Sequence, residues 1–84
     1  MSITILYFAR IKEALEIDRE ELDFEKDIST IQQLVSFLGL RGEKWQTTLA
    51  EKSILVAVNH TVANFSTALN DDDEIAFYPP VTGG

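Results

Sequence analysis

Two segments of strand character stand near opposite ends of this chain, Ile3-Thr4-Ile5-Leu6-Tyr7-Phe8 and Glu74-Ile75-Ala76-Phe77-Tyr78. Both are rich in β-branched and aromatic residues, which suit a pleated, half-buried surface. Alternation places Ile3, Ile5 and Tyr7 on one face of the first, with Thr4, Leu6 and Phe8 on the other. In the second, Ile75 and Phe77 point one way, and Ala76 and Tyr78 the other. The two can be parallel neighbours at the centre of a sheet. The link between them is long and includes a helix, as a right-handed crossover requires.

The intervening pattern fills in the sheet and its cover. Arg10 to Leu15 makes a turn or two of helix, with Ile11, Ala14 and Leu15 on one side. Arg19 to Phe24 reads as a second strand pairing with the first. The clearest helix spans 29–38, where Ile31, Leu34, Val35 and Leu38 form a core-facing stripe. Ser29 with Gln32 and Thr30 with Gln33 offer two overlapping capping boxes. Gly39 fits a helix-ending position of positive φ. Phe37 lies off the stripe, as cover for a neighbouring loop. Gly42 to Ala50 suggests a short helix carrying Trp45 and Leu49. Ile54 to Val58 resembles a central strand buried on both faces. Asn59-His60 reads as a tight turn into Thr61-Val62-Ala63, and Asn70 to Asp73 as a turn before the last strand. The expected class is α+β: a mixed sheet with one main helix packed across it, the β-grasp arrangement.

At 84 residues the chain holds one domain, expected to span residues 1–78 with an extended, flexible tail over 79–84. Its charge of −7 argues against nucleic acid and anionic membranes as partners, since phosphate binding needs a basic surface. No apolar run reaches spanning length, and the opening Met1 to Ile5, without a positive n-region or cleavage motif, is expected not to be a signal peptide. Cysteine is absent, which removes disulfides and thiolate chemistry; a reducing cytoplasm is the expected compartment. His60 reads as a solvated turn residue. Asp71-Asp72-Asp73-Glu74 lacks the ligand spacing of a cation loop and reads as a solvated turn. The acidic run from Glu16 to Asp27 reads as an exposed edge and loop.

The terminal residues are the unusual feature. Pro79-Pro80 cannot donate to a ladder and favours extended geometry. Val81-Thr82-Gly83-Gly84 follows. The two glycines fit a channel too narrow for a β-carbon, and an α-carboxylate on Gly84 becomes an electrophile once ATP converts it to an acyl-adenylate. A sulfur or nitrogen nucleophile then displaces the nucleotide.

Phe77-Tyr78-Pro79-Pro80-Val81-Thr82-Gly83-Gly84 resembles the signature ending of the small subunits of molybdopterin synthase, MoaD-type sulfur carriers. Ile5 to Ala9, Thr30-Ile31, Val56 to Asn59 and Asp73 to Phe77 match as well. The turn departs from the family's usual Asp-Gly-Asp, with Asp72 in place of glycine; Asp tolerates the left-handed conformation, so the same turn is expected. The resemblance implies a ubiquitin-like β-grasp fold and no catalysis by this chain alone. It implies no bound cofactor, with ATP consumed by a ubiquitin-activator-like adenylyltransferase. A sulfur donor system then leaves a thiocarboxylate on Gly84. The large synthase subunit, in a heterotetramer, receives the tail and passes the sulfur to cyclic pyranopterin monophosphate. The implied docking residues are Phe8, Val62, Tyr78, Pro79, Pro80, Val81, Thr82 and Gly83, and the competing expectation puts Phe8 and Tyr78 in the core. Alternatives sharing the activation chemistry are a ubiquitin-like protein modifier and a sulfur carrier of another pathway. A further alternative is an interaction module with an idle tail.

Overall fold

The two end strands are paired in parallel, with Thr4 opposite Glu74, Ile5 opposite Ile75 and Tyr7 opposite Phe77. The computed structural model describes residues 1–24, 28–50 and 54–80. Its elements are β1 (Ser2–Tyr7), α1 (Ala9–Leu15), β2 (Arg19–Asp23), α2 (Ile31–Gly39), α3 (Glu43–Leu49), β3 (Leu55–Val58), β4 (Thr61–Ala63) and β5 (Glu74–Tyr78). The strand order is β2-β1-β5-β3-β4, with β1–β5 parallel and the remaining pairs antiparallel. This is the expected mixed β-grasp sheet. No described helix is long and apolar enough to cross a membrane.

The inner face of the sheet forms the core. Ile3, Ile5 and Tyr7 of β1 and Ile75 and Phe77 of β5 are buried, and the stripe Ile31, Leu34 and Leu38 of α2 completes the core with Ile11, Leu15 and Leu49. Each such side chain contributes about 1.5–3 kcal/mol on leaving water. Helix α2 starts where its capping residues say it should. Thr30 Oγ1 accepts from the Gln33 N–H at 3.2 Å. Gln33 Oε1 reaches back to the Ser29 N–H at 2.6 Å and its hydroxyl at 2.9 Å, one residue beyond the usual box. Thr30–Gln33 is therefore the register used. Phe37 covers Phe24 edge-to-face, centroids 5.1 Å apart, in keeping with its expected role.

Three expectations are corrected. Gly39 is the last residue of α2 rather than a positive-φ terminator, because a second helix follows at once. The glycine conformation is spent at Gly42 instead, with φ 150° and ψ 173° before α3, a region closed to L side chains. Strand β3 is not buried on both faces: Leu55 is 40% exposed, because only the inner face is covered by helices. The acidic run is not merely an exposed edge. Glu20 accepts the Tyr7 hydroxyl at 2.8 Å and a two-pronged contact from Arg41 at 2.8 and 2.7 Å. Arg41 also lies 4.5 Å over the Trp45 ring, and Trp45 meets Tyr7 edge-on. Glu25, Lys26 and Asp27 of that run lie outside the described residues.

This latch ties β1 and β2 to the α2–α3 junction. Burial on its own would raise the Glu20 pKa, but the Arg41 and Tyr7 hydrogen bonds outweigh it and hold the carboxyl below its ordinary range. A carboxyl lowered by folding stabilises above its unfolded pKa, and that contribution is lost as pH falls through the folded value. Glu20→Gln is expected to cost about 1–2 kcal/mol at neutral pH. The gap from the parent, measured by urea unfolding, should narrow as pH falls below the ordinary carboxylate range and through the lowered value of Glu20.

Candidate functional site

Alternation leaves the outer face of the sheet with an apolar set of its own. Register lines up Leu6, Ala76, Ala57 and Val62 in one row across β1, β5, β3 and β4. The next row pairs Tyr78 with Leu55. Phe8 extends the β1–β5 ladder by one step, its N–H donating to the Phe77 carbonyl at 3.1 Å. Ala9, with φ 52°, then turns the chain into α1. Phe8 is 47% exposed and Val62 76% exposed, and Tyr78 is half-buried. None of the three belongs to the core, so the competing expectation for Phe8 and Tyr78 fails.

The two alanines lie between larger neighbours and leave a shallow hollow of about 310 Å³, lined by Leu6, Phe8, Ala57, Val62, Ala76 and Tyr78 with His60 and Glu74. His60 Nε2 stands 3.4 Å from Glu74 Oε1. The structure thus brings Phe8, Val62 and Tyr78 together on one surface. Sequence reading missed Leu6, Leu55, Ala57 and Ala76. The register between strands would have found them, because each shares a row with a residue already named. Phe8 and Leu6 also line a second hollow with Lys12, Asp18 and Arg19, which sets cationic side chains beside the apolar face. A larger hollow between α2 and α3 is lined by Gln32, Ser36, Glu43, Gln46 and Thr47 among others. It is more polar and lies on the helical side of the sheet.

Strand β5 ends at Tyr78, and Pro79 and Pro80 follow, half-buried and outside the ladder. The chain therefore leaves the sheet from its central strand, beside the outer face. Val81, Thr82, Gly83 and Gly84 lie outside the described residues.

The two turns that frame the face hold their residues in left-handed conformations. Asn59 and His60, with φ 50° and 70°, form the two-residue connection between Val58 and Thr61, the geometry a twisted hairpin favours. Asp72, with φ 68°, adopts the left-handed turn expected of it. Asp73 is corrected from the expected solvated turn: it is buried, and its carboxylate is hydrogen-bonded.

The ThiS family model matches residues 5–84. The chain belongs to the ThiS family. It is 38% identical over 82 residues to the molybdopterin synthase sulfur carrier subunit of Haemophilus influenzae, covering 98% of this chain and 99% of that one. The Escherichia coli sulfur carrier subunit is 37% identical with the same coverage. Among solved structures, a chain of the complex of subunits 1 and 2 of molybdopterin-converting factor from Helicobacter pylori superposes with a TM-score of 0.67 at 26% identity over the full length of both. SAMP1 from Haloferax volcanii superposes with a TM-score of 0.80 at 24% identity, also over both full lengths, and shows the shared ubiquitin-like fold. The family resemblance carried by the terminal residues is borne out.

The outer face should be separable from the core by stability. Val62→Ser is expected to change unfolding free energy by no more than about 0.5 kcal/mol, whereas Phe77→Ala should cost about 3–5 kcal/mol. Urea unfolding of the two variants checks the contrast.

Proposed function

We propose that this chain is the sulfur carrier subunit of a molybdopterin synthase, docking on the large subunit through its outer sheet face and delivering sulfur from Gly84. The observation that supports this most is the apolar hollow beside the end of β5, next to the point where Pro79 and Pro80 lead the chain toward Gly83 and Gly84. A surface of this kind, joined to a reactive segment, serves docking and delivery in one motion. The complex of two converting-factor subunits that contains a similar chain adds to it.

In this reading a Gly84 carboxylate oxygen attacks the α-phosphorus of ATP on an activating enzyme, and pyrophosphate leaves. Hydrosulfide released by the sulfur donor then attacks the acyl carbon, the acyl–phosphate bond breaks and AMP departs, and loss of the thiol proton leaves a thiocarboxylate. In the large subunit the thiocarboxylate sulfur bonds to a side-chain carbon of cyclic pyranopterin monophosphate as an oxygen substituent leaves it, and water hydrolyses the resulting thioester, leaving the sulfur on the pterin and restoring the Gly84 carboxylate. Two rounds supply the two sulfurs of the dithiolene. The carrier contributes the sulfur and the docking face, while the pocket and the proton-transfer groups belong to the large subunit.

Phe8→Ala is expected to weaken large-subunit binding about tenfold or more, as loss of an aromatic anchor does. Its melting temperature should fall little. Unchanged affinity with a core-sized loss of stability would contradict the docking role. Deleting Gly84 shifts the reacting carbonyl by roughly 3.3–3.6 Å. Misplacement of about 1 Å already costs on the order of 100-fold, so sulfur transfer should be lost while docking persists. Retained transfer would overturn the proposal. Isopeptide-linked products on a denaturing gel would point instead to a protein modifier.

A further inference from the structure

One buried carboxylate has no part in the chemistry above. Asp73 is the only buried polar residue among those described. A buried side chain of this kind is costly unless hydrogen-bond donors meet its oxygens. Asp73 Oδ1 accepts from Asn59 Nδ2 at 2.8 Å, and its Oδ2 accepts from the Asn70 N–H at 2.8 Å. Asn59 completes a bridge. Its Oδ1 accepts from the Glu74 N–H at 2.9 Å, and its own N–H donates to the Glu74 carbonyl at 2.8 Å. The tip of the β3–β4 hairpin is thereby tied to the first residue of β5.

What the hairpin carries gives the bridge its meaning. Strand β4 has three residues, forms the sheet edge and pairs with β3 alone. Its Val62 is too exposed for core packing to set its position. His60, the other residue of the turn, lines the same hollow. Strand β3 is laddered to β5, but β4 joins the sheet only through β3, so few interactions fix the turn and the three residues beyond it.

We propose that Asn59 and Asp73 are positioning residues of the docking face, whose side-chain hydrogen bond fixes the β3–β4 turn against the start of β5 so that Val62 and His60 meet the partner in a fixed place. The proposal rests on the docking role given above. It goes further by assigning a function to two residues that do not themselves line the hollow.

The polarity of the bridge can be reversed without changing charge, which gives a test that general destabilisation would not pass. In the Asn59→Asp/Asp73→Asn double variant, the amide now at 73 donates to the carboxylate now at 59. That carboxylate still accepts from the Glu74 N–H, and the oxygen of the amide accepts from the Asn70 N–H. Each single change breaks the pattern. Asn59→Asp sets two carboxylates face to face, and Asp73→Asn sets N–H groups against one another. Asn59→Gly keeps the left-handed turn and removes only the side chain, so it serves should a single change prevent folding.

Two readouts decide the matter. Amide hydrogen exchange in the free chain should accelerate about tenfold at Thr61 and Ala63, the β4 amides that face β3, in each single variant and in Asn59→Gly, return to the parent rate in the double variant, and stay unchanged at Ile5 and Ile75. Affinity for the large synthase subunit should follow the same order: about tenfold weaker in the single variants and restored by the swap. Parent-like binding in the single variants, failure of the swap to restore, or acceleration spread evenly over β1 and β5 would overturn the positioning role. A parent chain that does not bind the large subunit would overturn the docking reading itself, and the positioning role with it.

Discussion

The parallel pairing of β1 with β5 is the constraint from which the rest follows. Parallel neighbours cannot be joined by a turn, so the chain must cross over, and here the crossover supplies the helices that cover one face of the sheet. Ile5, Tyr7, Ile75 and Phe77 close the core beneath them and are almost wholly buried. Parallel strands also finish at the same end of the sheet. Phe8 and Tyr78 therefore emerge side by side, and the chain passes into Pro79 from the middle of the sheet rather than from an edge. The apolar outer face and the exit of the chain through Pro79 are placed together by topology alone.

The side of the sheet away from the helices is a second surface built on the same strands. Period-2 alternation gives every inward residue an outward neighbour, and in β5 those are Ala76 and Tyr78. Small side chains at Ala76 and Ala57 with larger ones at Leu6, Phe8 and Val62 make a hollow instead of a flat patch. The face is apolar on a chain of net charge −7, so most of the described acidic side chains lie elsewhere on the surface, and an apolar patch rimmed by polar residues is the kind of surface that marks interaction sites.

Much of this was legible in the sequence because the signals are local. Strands β1 and β5 alternate cleanly, α2 carries both its stripe and its cap within a few residues, and Asn59-His60 announces a tight hairpin. What was not legible depends on distant partners. Glu20 sits in an acidic run that looks solvated, and its meaning comes from Arg41 and Tyr7, which share no pattern with it. Asp73 is likewise given its role by Asn59, on another strand connection. Leu55 reads as core because Ile54 to Val58 is continuously apolar. Its exposure is decided by which face the helices cover. Gly39 resembles a helix end in isolation, but Gly42 is where the backbone demands glycine.

The central claim is that Gly84 carries sulfur, and the intact mass of the chain tests it most directly. The mass is measured before and after incubation with ATP, an activating enzyme and a sulfur donor. The account predicts a gain equal to the exchange of one oxygen for one sulfur, localised to the C-terminal peptide. An unchanged mass, with an activating enzyme shown to be active on a known carrier, would contradict it.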